Sequence, residues 1–304
     1  MKTQVLLSAL AVMAAADAHA AHHSHEARQA SSSSNPPNIN SVTRGIKAGL
    51  SGFEGIGSKP GFQQLAKYIS WYSDYQPDTP DVGAVAGVPM LWGDATACGS
   101  VGGDRLSAFN TAVAKAAPKI MFGFYEPDCS CSASSNMSVQ DGIASWNKLF
   151  PPLKAKGTIL GSPSACKQKD ESWLKQMTAS PLSVPWDVTS VHINKNSLDG
   201  VKADIEYYAS KYNKPIWVSE FACVDDKNGF TPCSDQGAIN KFMKDAVNYF
   251  HCNETVVAYG PSNGEGLGDT WPLLNGDNLS ATGQAYLQAL QSFTMPPNAC
   301  PASS

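Results

Sequence analysis

From Arg44 onward, short apolar runs alternate with longer stretches in which apolar residues recur every three or four positions, the pattern expected of parallel β/α units. Eight runs have the length and turn-residue borders of strands: 45–50, 67–72, 88–92, 120–125, 158–161, 188–193, 215–219 and 255–259. Between and after them the spacing predicts helices over 104–116, 139–150, 170–177, 201–212, 235–250 and 281–292. Ser138 is suited to cap one helix, Ser234-Asp-Gln-Gly precedes another, and Asp204, Ile205, Tyr208, Ala209 and Tyr212 share one helical face. The fold class is therefore α/β, a (β/α)8 TIM barrel. The connection 73–87 is rich in Pro and Gly, so its helix is short or missing and the barrel is reduced.

Composition adds a compartment. The 304 residues, 42% hydrophobic and 16% charged, suit one domain with a sizeable core. Residues 1–20 combine Lys2, an apolar stretch from Val5 to Ala16 and Ala18-His-Ala20, the three regions of a secretory signal. The mature chain is expected to start near Ala21 and to be secreted, extracellular or in the cell wall. Residues 21–42 are a Ser-, His- and Pro-containing stretch, too polar to bury surface and expected to be disordered. His22, His23 and His25 belong to that solvated tail, and one catalytic domain fills 43–300. A net charge of −4 gives no support for nucleic acid or an anionic membrane as partner. No later apolar run approaches the roughly 18 residues of a membrane span, and a monomer is expected.

Cys98, Cys129, Cys131, Cys166, Cys223, Cys233, Cys252 and Cys300 make an even count, which in a secreted chain favours disulfides. Cys129-Ser-Cys131 is C-x-C with no histidine at zinc-finger spacing, so no metal site is expected. The sequence does not choose among the connectivities; Cys223 with Cys233 inside one loop and Cys252 with the tail residue Cys300 are the pairings it suggests. Asn136, Asn253 and Asn278 head glycosylation sequons.

Candidate chemistry sits on two glutamates. Glu126 closes the run from Ile120 and Glu220 the run from Pro215, so each carboxylate falls at a strand's carboxyl end, where a barrel carries its active site. Glycoside cleavage uses such a pair, one carboxyl protonating the leaving oxygen and the other attacking the anomeric carbon or activating water. The bland alternative, two surface glutamates, fits their apolar contexts poorly. Trp71, Tyr72 and Trp92 end strands on the same side, and Trp271 lies in the loop 261–278. Their rings suit the apolar faces of a sugar ring, with core packing as the competing reading. His192 is placed to hydrogen-bond a sugar hydroxyl or orient Glu220, while Asp128 and Ser219 flank the glutamates as loop stabilisers.

Phe122-Gly-Phe-Tyr-Glu-Pro-Asp128, Ser135-Asn-Met-Ser138, Leu160-Gly-Ser-Pro163, Lys214-Pro-Ile-Trp-Val-Ser-Glu-Phe-Ala-Cys223, Ile69-Ser-Trp-Tyr72 and Val88-Pro-Met-Leu-Trp-Gly93 together resemble glycoside hydrolase family 128 over about residues 44–292. The resemblance implies a compact barrel of the large retaining-glycosidase clan, from a fungus, acting on β-1,3-glucan without metal or organic cofactor. It also implies Glu126 as acid/base and Glu220 as nucleophile. The chain departs from the family pattern where Tyr125 replaces an Asn before the acid/base, where Ile193-Asn194 replace Trp-Tyr after the histidine, and at Tyr259-Gly260-Pro261. These positions touch the substrate side, and Tyr125 and Asn194 are counted with the substrate-binding residues. The alternatives are a glucan-binding protein with weak or no turnover and a glycosidase for β-1,4 or mixed-linkage glucan.

Overall fold

A computed structural model of the chain describes residues 37–95, 99–131, 133–264, 266–293 and 300. The apolar runs become short parallel strands buried on both faces, which is why they read as continuous rather than alternating hydrophobic segments. β1 (Gly49–Ser51), β2 (Trp71–Ser73) and β3 (Ala86–Gly87) form one parallel sheet; β4 (Met90–Trp92), β5 (Ile120–Phe124) and β6 (Ile159–Leu160) form a second. β7 (Thr189–Asn194), β8 (Ile216–Ala222) and, after the hairpin β9 (Val224–Asp225) with β10 (Thr231–Pro232), β11 (Val256–Pro261) form the third. A second hairpin, β12 (Leu274–Asn275) with β13 (Asn278–Leu279), follows. Single parallel bridges join Gly161 to Val188, Ala48 to Tyr259 and Ser51 to Ser262. The ladder thus runs as three sheets linked by bridges rather than as one continuous sheet.

Helices alternate with the strands: α1 (Asn40–Thr43), α2 (Pro60–Leu65), α3 (Gly99–Lys115), α4 (Val139–Leu149), α5 (Pro151–Ala155), α6 (Trp173–Thr178), α7 (Leu198–Tyr212), α8 (Gln236–Cys252) and α9 (Ala281–Gln291). Four start on a capping side chain, Ser138, Ser197, Asp235 or Ser280, each accepting the backbone N–H three residues on. No helix joins β2 to β3, as the Pro and Gly content of that connection foretells. Among the described residues no helix is long and apolar enough to cross a membrane.

Two expectations need correction. Structure begins before residue 43: α1 precedes it and buries Val42 and Thr43, Val42 joining the cluster that includes Trp71, Val88 and Trp217. Val42 is an isolated apolar residue in a polar stretch, so no periodicity announces it. The strand carrying Glu220 continues to Ala222 instead of ending at 219, because Glu220 finds partners that let it lie inside a buried strand.

Two apolar clusters pack against opposite faces of the strands. Along β5, Ile120 and Phe122 join the cluster centred on Trp71 and Trp217, whose rings meet edge to face at 5.0 Å, while Met121 joins the larger one beneath the helices. Disulfides Cys129–Cys166, Cys223–Cys233 and Cys252–Cys300 tie loops to this frame. Cys131 is also disulfide-bonded, and Cys98 lies outside the described residues.

Candidate functional site

Glu126 and Glu220 converge. Glu126 follows β5 in the left-handed region (φ +48°), a costly conformation for a residue with a Cβ. Its own N–H, donated to Ser164 O, and that of Tyr125, donated to Trp92 O, pin it to both neighbouring strands. Glu220 lies in β8 where the register slips on both sides, between Val191 and His192 of β7 and between Tyr259 and Pro261 of β11. Such bulges re-aim side chains. Here the slip sets His192 opposite Glu220.

His192 is fully buried and bridges the two carboxylates, with Nδ1 2.7 Å from Glu126 Oε1 and Nε2 3.5 Å from Glu220 Oε1. Burial by itself favours the neutral ring, but the charge of Glu220 and the hydrogen bond to Glu126 outweigh it and push the imidazole up to about 8. At neutral pH the ring is therefore a cation that donates. Ser134 Oγ donates to Glu126 Oε2 at 2.6 Å, and Ser262 Oγ donates to Glu220 Oε2 at 2.6 Å. The Gly264 N–H donates to Ser262 Oγ in turn.

Two tyrosines close over Glu220. Tyr125 is buried, Tyr75 buries its hydroxyl, and their rings lie 5.0 Å apart. Burial first, then the charge of Glu220, pushes both phenols well above their ordinary value, so they stay neutral. Tyr75 has a left-handed backbone (φ +62°), and its Oη occupies space that only glycine leaves: a Cβ on Gly52 would lie 2.5 Å away. Arg105 donates to Tyr75 O and sits 5.0 Å above the Trp92 ring.

These groups face a cavity of about 430 Å³ lined by Tyr75, Trp92, Arg105, Tyr125, Glu126, Ser134, Asn194, Glu220, Phe230, Ser262 and Leu267, with Cys129 and Cys166 on its wall. A larger cavity, about 830 Å³, borders the helix-free β2–β3 connection and α3 and contains neither glutamate. Volume alone does not locate the chemistry.

Of the residues expected at the site, Glu126, Glu220, Trp92, Tyr125 and Asn194 line the cavity and His192 links its carboxylates. Three aromatic residues do not belong there. Trp71 is wholly buried against Trp217 and donates Nε1–H to Lys47 O; Tyr72 is buried in the helix-side core and donates to Pro80 O. Trp271 packs on Phe221 and donates Nε1–H to Ser262 O at 2.8 Å, so it supports the site from behind. Asp128 accepts the N–H groups of Cys166 and Lys167, and Ser219 bonds to Val191 O, which makes both loop and strand braces. Asn136 and Asn278 are exposed, whereas the half-buried Asn253 donates to Tyr249 Oη and accepts from Thr255. Sequence reasoning missed Tyr75, Arg105, Ser134 and Ser262. Only Ser262, just past β11, stood where barrel logic could have found it.

Two carboxylates and an aromatic wall at the carboxyl ends of parallel strands define a protein of the α/β glycoside hydrolase class. The family model described as glycosyl hydrolase catalytic core matches residues 51–286. An oligosaccharide-binding protein of glycoside hydrolase family 128, subgroup VII, from Trichoderma gamsii is 42% identical, with a TM-score of 0.77 over 84% of this chain and 97% of its own. The chain belongs to the glycosyl hydrolase catalytic core family, within glycoside hydrolase family 128. A subgroup I endo-β-1,3-glucanase mutant from Amycolatopsis mediterranei, solved with laminaripentaose, shares the fold at 22% identity, with a TM-score of 0.62 over 81% of this chain and all of its own. Alkali-sensitive linkage protein 1 of Schizosaccharomyces pombe is 26% identical over 175 residues, 55% of this chain and 32% of that protein, so the match spans about a third of that relative.

Proposed function

We propose that the chain binds β-1,3-glucan oligosaccharides in this cavity, with Glu126 serving as a hydrogen-bonding group. The observation that carries this reading is how fully the carboxylates are engaged. Retaining hydrolysis needs Glu126 to pass a proton to the leaving oxygen and Glu220 to reach the anomeric carbon. Both oxygens of Glu126 already accept hydrogen bonds, from His192 and Ser134. Glu220 is held by Ser262 behind Tyr75 and Tyr125. Tyr75 and Tyr125 hydrogen-bond to Glu220, and His192 Nε2 faces Glu220 Oε1 at 3.5 Å, so the protein's own groups occupy that carboxylate. The 42% identity to an oligosaccharide-binding protein supports the same reading, and a β-1,3 linkage agrees with the laminaripentaose carried by the glucanase of the same fold.

Hydrolysis by double displacement, Glu126 as acid/base and Glu220 as nucleophile, is the second reading. It is favoured by the convergence of both carboxylates on one cavity through a single imidazole. Neither reading calls for a cofactor. As part of the same proposal the three sheets form one reduced (β/α)8 barrel. Its support is the set of bridges at Gly161–Val188, Ala48–Tyr259 and Ser51–Ser262, together with the direct succession of β3 and β4. The signal-like start and the disulfides support a secreted protein.

The ligand class is tested by calorimetric titration with laminaripentaose, cellopentaose and a mixed-linkage pentasaccharide. Saturable binding is expected for laminaripentaose and at least tenfold weaker binding for the other two. Equal or tighter binding of cellopentaose would overturn the β-1,3 assignment.

A further inference from the structure

Phe230 stands out as the exposed large apolar side chain among the described residues, 54% accessible, and it lines the carboxylate cavity. An exposed aromatic ring is ordinary on a loose loop. This loop is braced at several points. The disulfide Cys223–Cys233 closes its base, and the N–H of Cys233 donates to Cys223 O at 2.9 Å. Asp225 Oδ1 accepts the N–H of Lys227 at 3.0 Å, and Gly229 turns the chain in the left-handed region (φ +86°). Asp226 pairs with Lys195, whose Nζ also lies 3.3 Å from the buried Asp204 of α7. The brace therefore reaches from the hairpin to β7's end and into a helix.

Holding an apolar ring in water on a braced arm forgoes the stabilisation that burying it would give, and this ring stands at the rim of the carboxylate cavity. Across the rim Gly266, left-handed at φ +77°, comes close to the ring: a Cβ on it would stand 3.7 Å from Phe230 Cε1, an ordinary van der Waals contact. The neighbouring cavity wall offers Asn194 and Glu126 to hydroxyl groups. A flat apolar ring beside such groups matches one kind of ligand surface. In the chair of a β-glucosyl unit the ring substituents are equatorial, so both faces expose axial C–H bonds. Such a C–H face packs flat on an aromatic ring.

We propose that Phe230 is the stacking platform for a glucosyl residue at the mouth of the cavity. The inference rests on the oligosaccharide-binding reading above and adds a residue to it. Because the arm is braced before binding, little order remains to be imposed when the sugar docks.

The test is calorimetry on the full chain and its Phe230→Ala and Phe230→Trp variants with laminaripentaose, alongside thermal melts. Phe230→Ala is expected to bind laminaripentaose roughly tenfold more weakly, about 1.4 kcal/mol, with an unchanged melting temperature. Phe230→Trp should keep wild-type affinity or exceed it. Wild-type affinity in Phe230→Ala would overturn the platform. Failure of the wild type itself to bind laminaripentaose would instead overturn the oligosaccharide-binding reading, so the two failures are distinguishable.

Discussion

Because the Glu220 charge and the Glu126 hydrogen bond raise His192 to about 8 against burial, the folded protein holds that proton more tightly than the unfolded chain, where histidine titrates near 6.5. The resulting stabilisation is fully present below pH 6.5 and is lost as the pH rises through about 8, on the order of 2 kcal/mol. The melting temperature of the wild type is expected to fall between pH 6.5 and pH 9 by more than that of His192→Gln; equal falls in both would contradict the bridge. The residues of this bridge were legible in sequence because an apolar run that stops at a carboxylate or histidine is an unusual word. Tyr75 was not, since it sits in a turn-rich connection and reaches Glu220 only through a left-handed backbone and the space above Gly52. Trp71 and Tyr72 were misjudged for a different reason. Adjacent strand residues face opposite ways, and an aromatic at a strand end carries no mark of which face is wet.

At the scale of elements, the site depends on where strands slip and what stands behind them. The irregular register around Glu220 is invisible in sequence, because it arises from pairing with β7 and β11 rather than from residue type. Helices were more readable: caps at Ser138 and Asp235 mark starts, and the long periodic stretches correspond to α3, α4, α7, α8 and α9. The short helices α2 and α5 escaped, although each has proline in its first turn, since six or five residues carry too little periodicity. Trp271 shows how an element acts at a distance. Its indole N–H holds Ser262 O, and Ser262 Oγ holds Glu220. Trp271→Phe keeps most of the ring but leaves a buried carbonyl unpaired, so a stability loss of about 1–3 kcal/mol in denaturant titration is expected, together with weaker laminaripentaose binding. Unchanged binding in a destabilised variant would reduce Trp271 to a packing role.

At the scale of the whole molecule, one set of strand ends carries the cavity and its carboxylates, and the rest of the chain holds them there. Alternation of strands and helices, and hence the α/β class, followed from patterning alone. Whether the carboxylate pair binds or cuts did not, because that depends on hydrogen bonds from Ser134, His192 and Ser262 and on two phenols placed from distant parts of the chain. The central claim is that these contacts turn a hydrolase framework to binding. Its most direct measurement is to incubate the protein with laminaripentaose, record the heat of binding and follow the sugar's chain length over time. Saturable binding with the pentasaccharide left intact is the predicted result; release of shorter laminari-oligosaccharides by the wild type, abolished by Glu220→Ala, would contradict it.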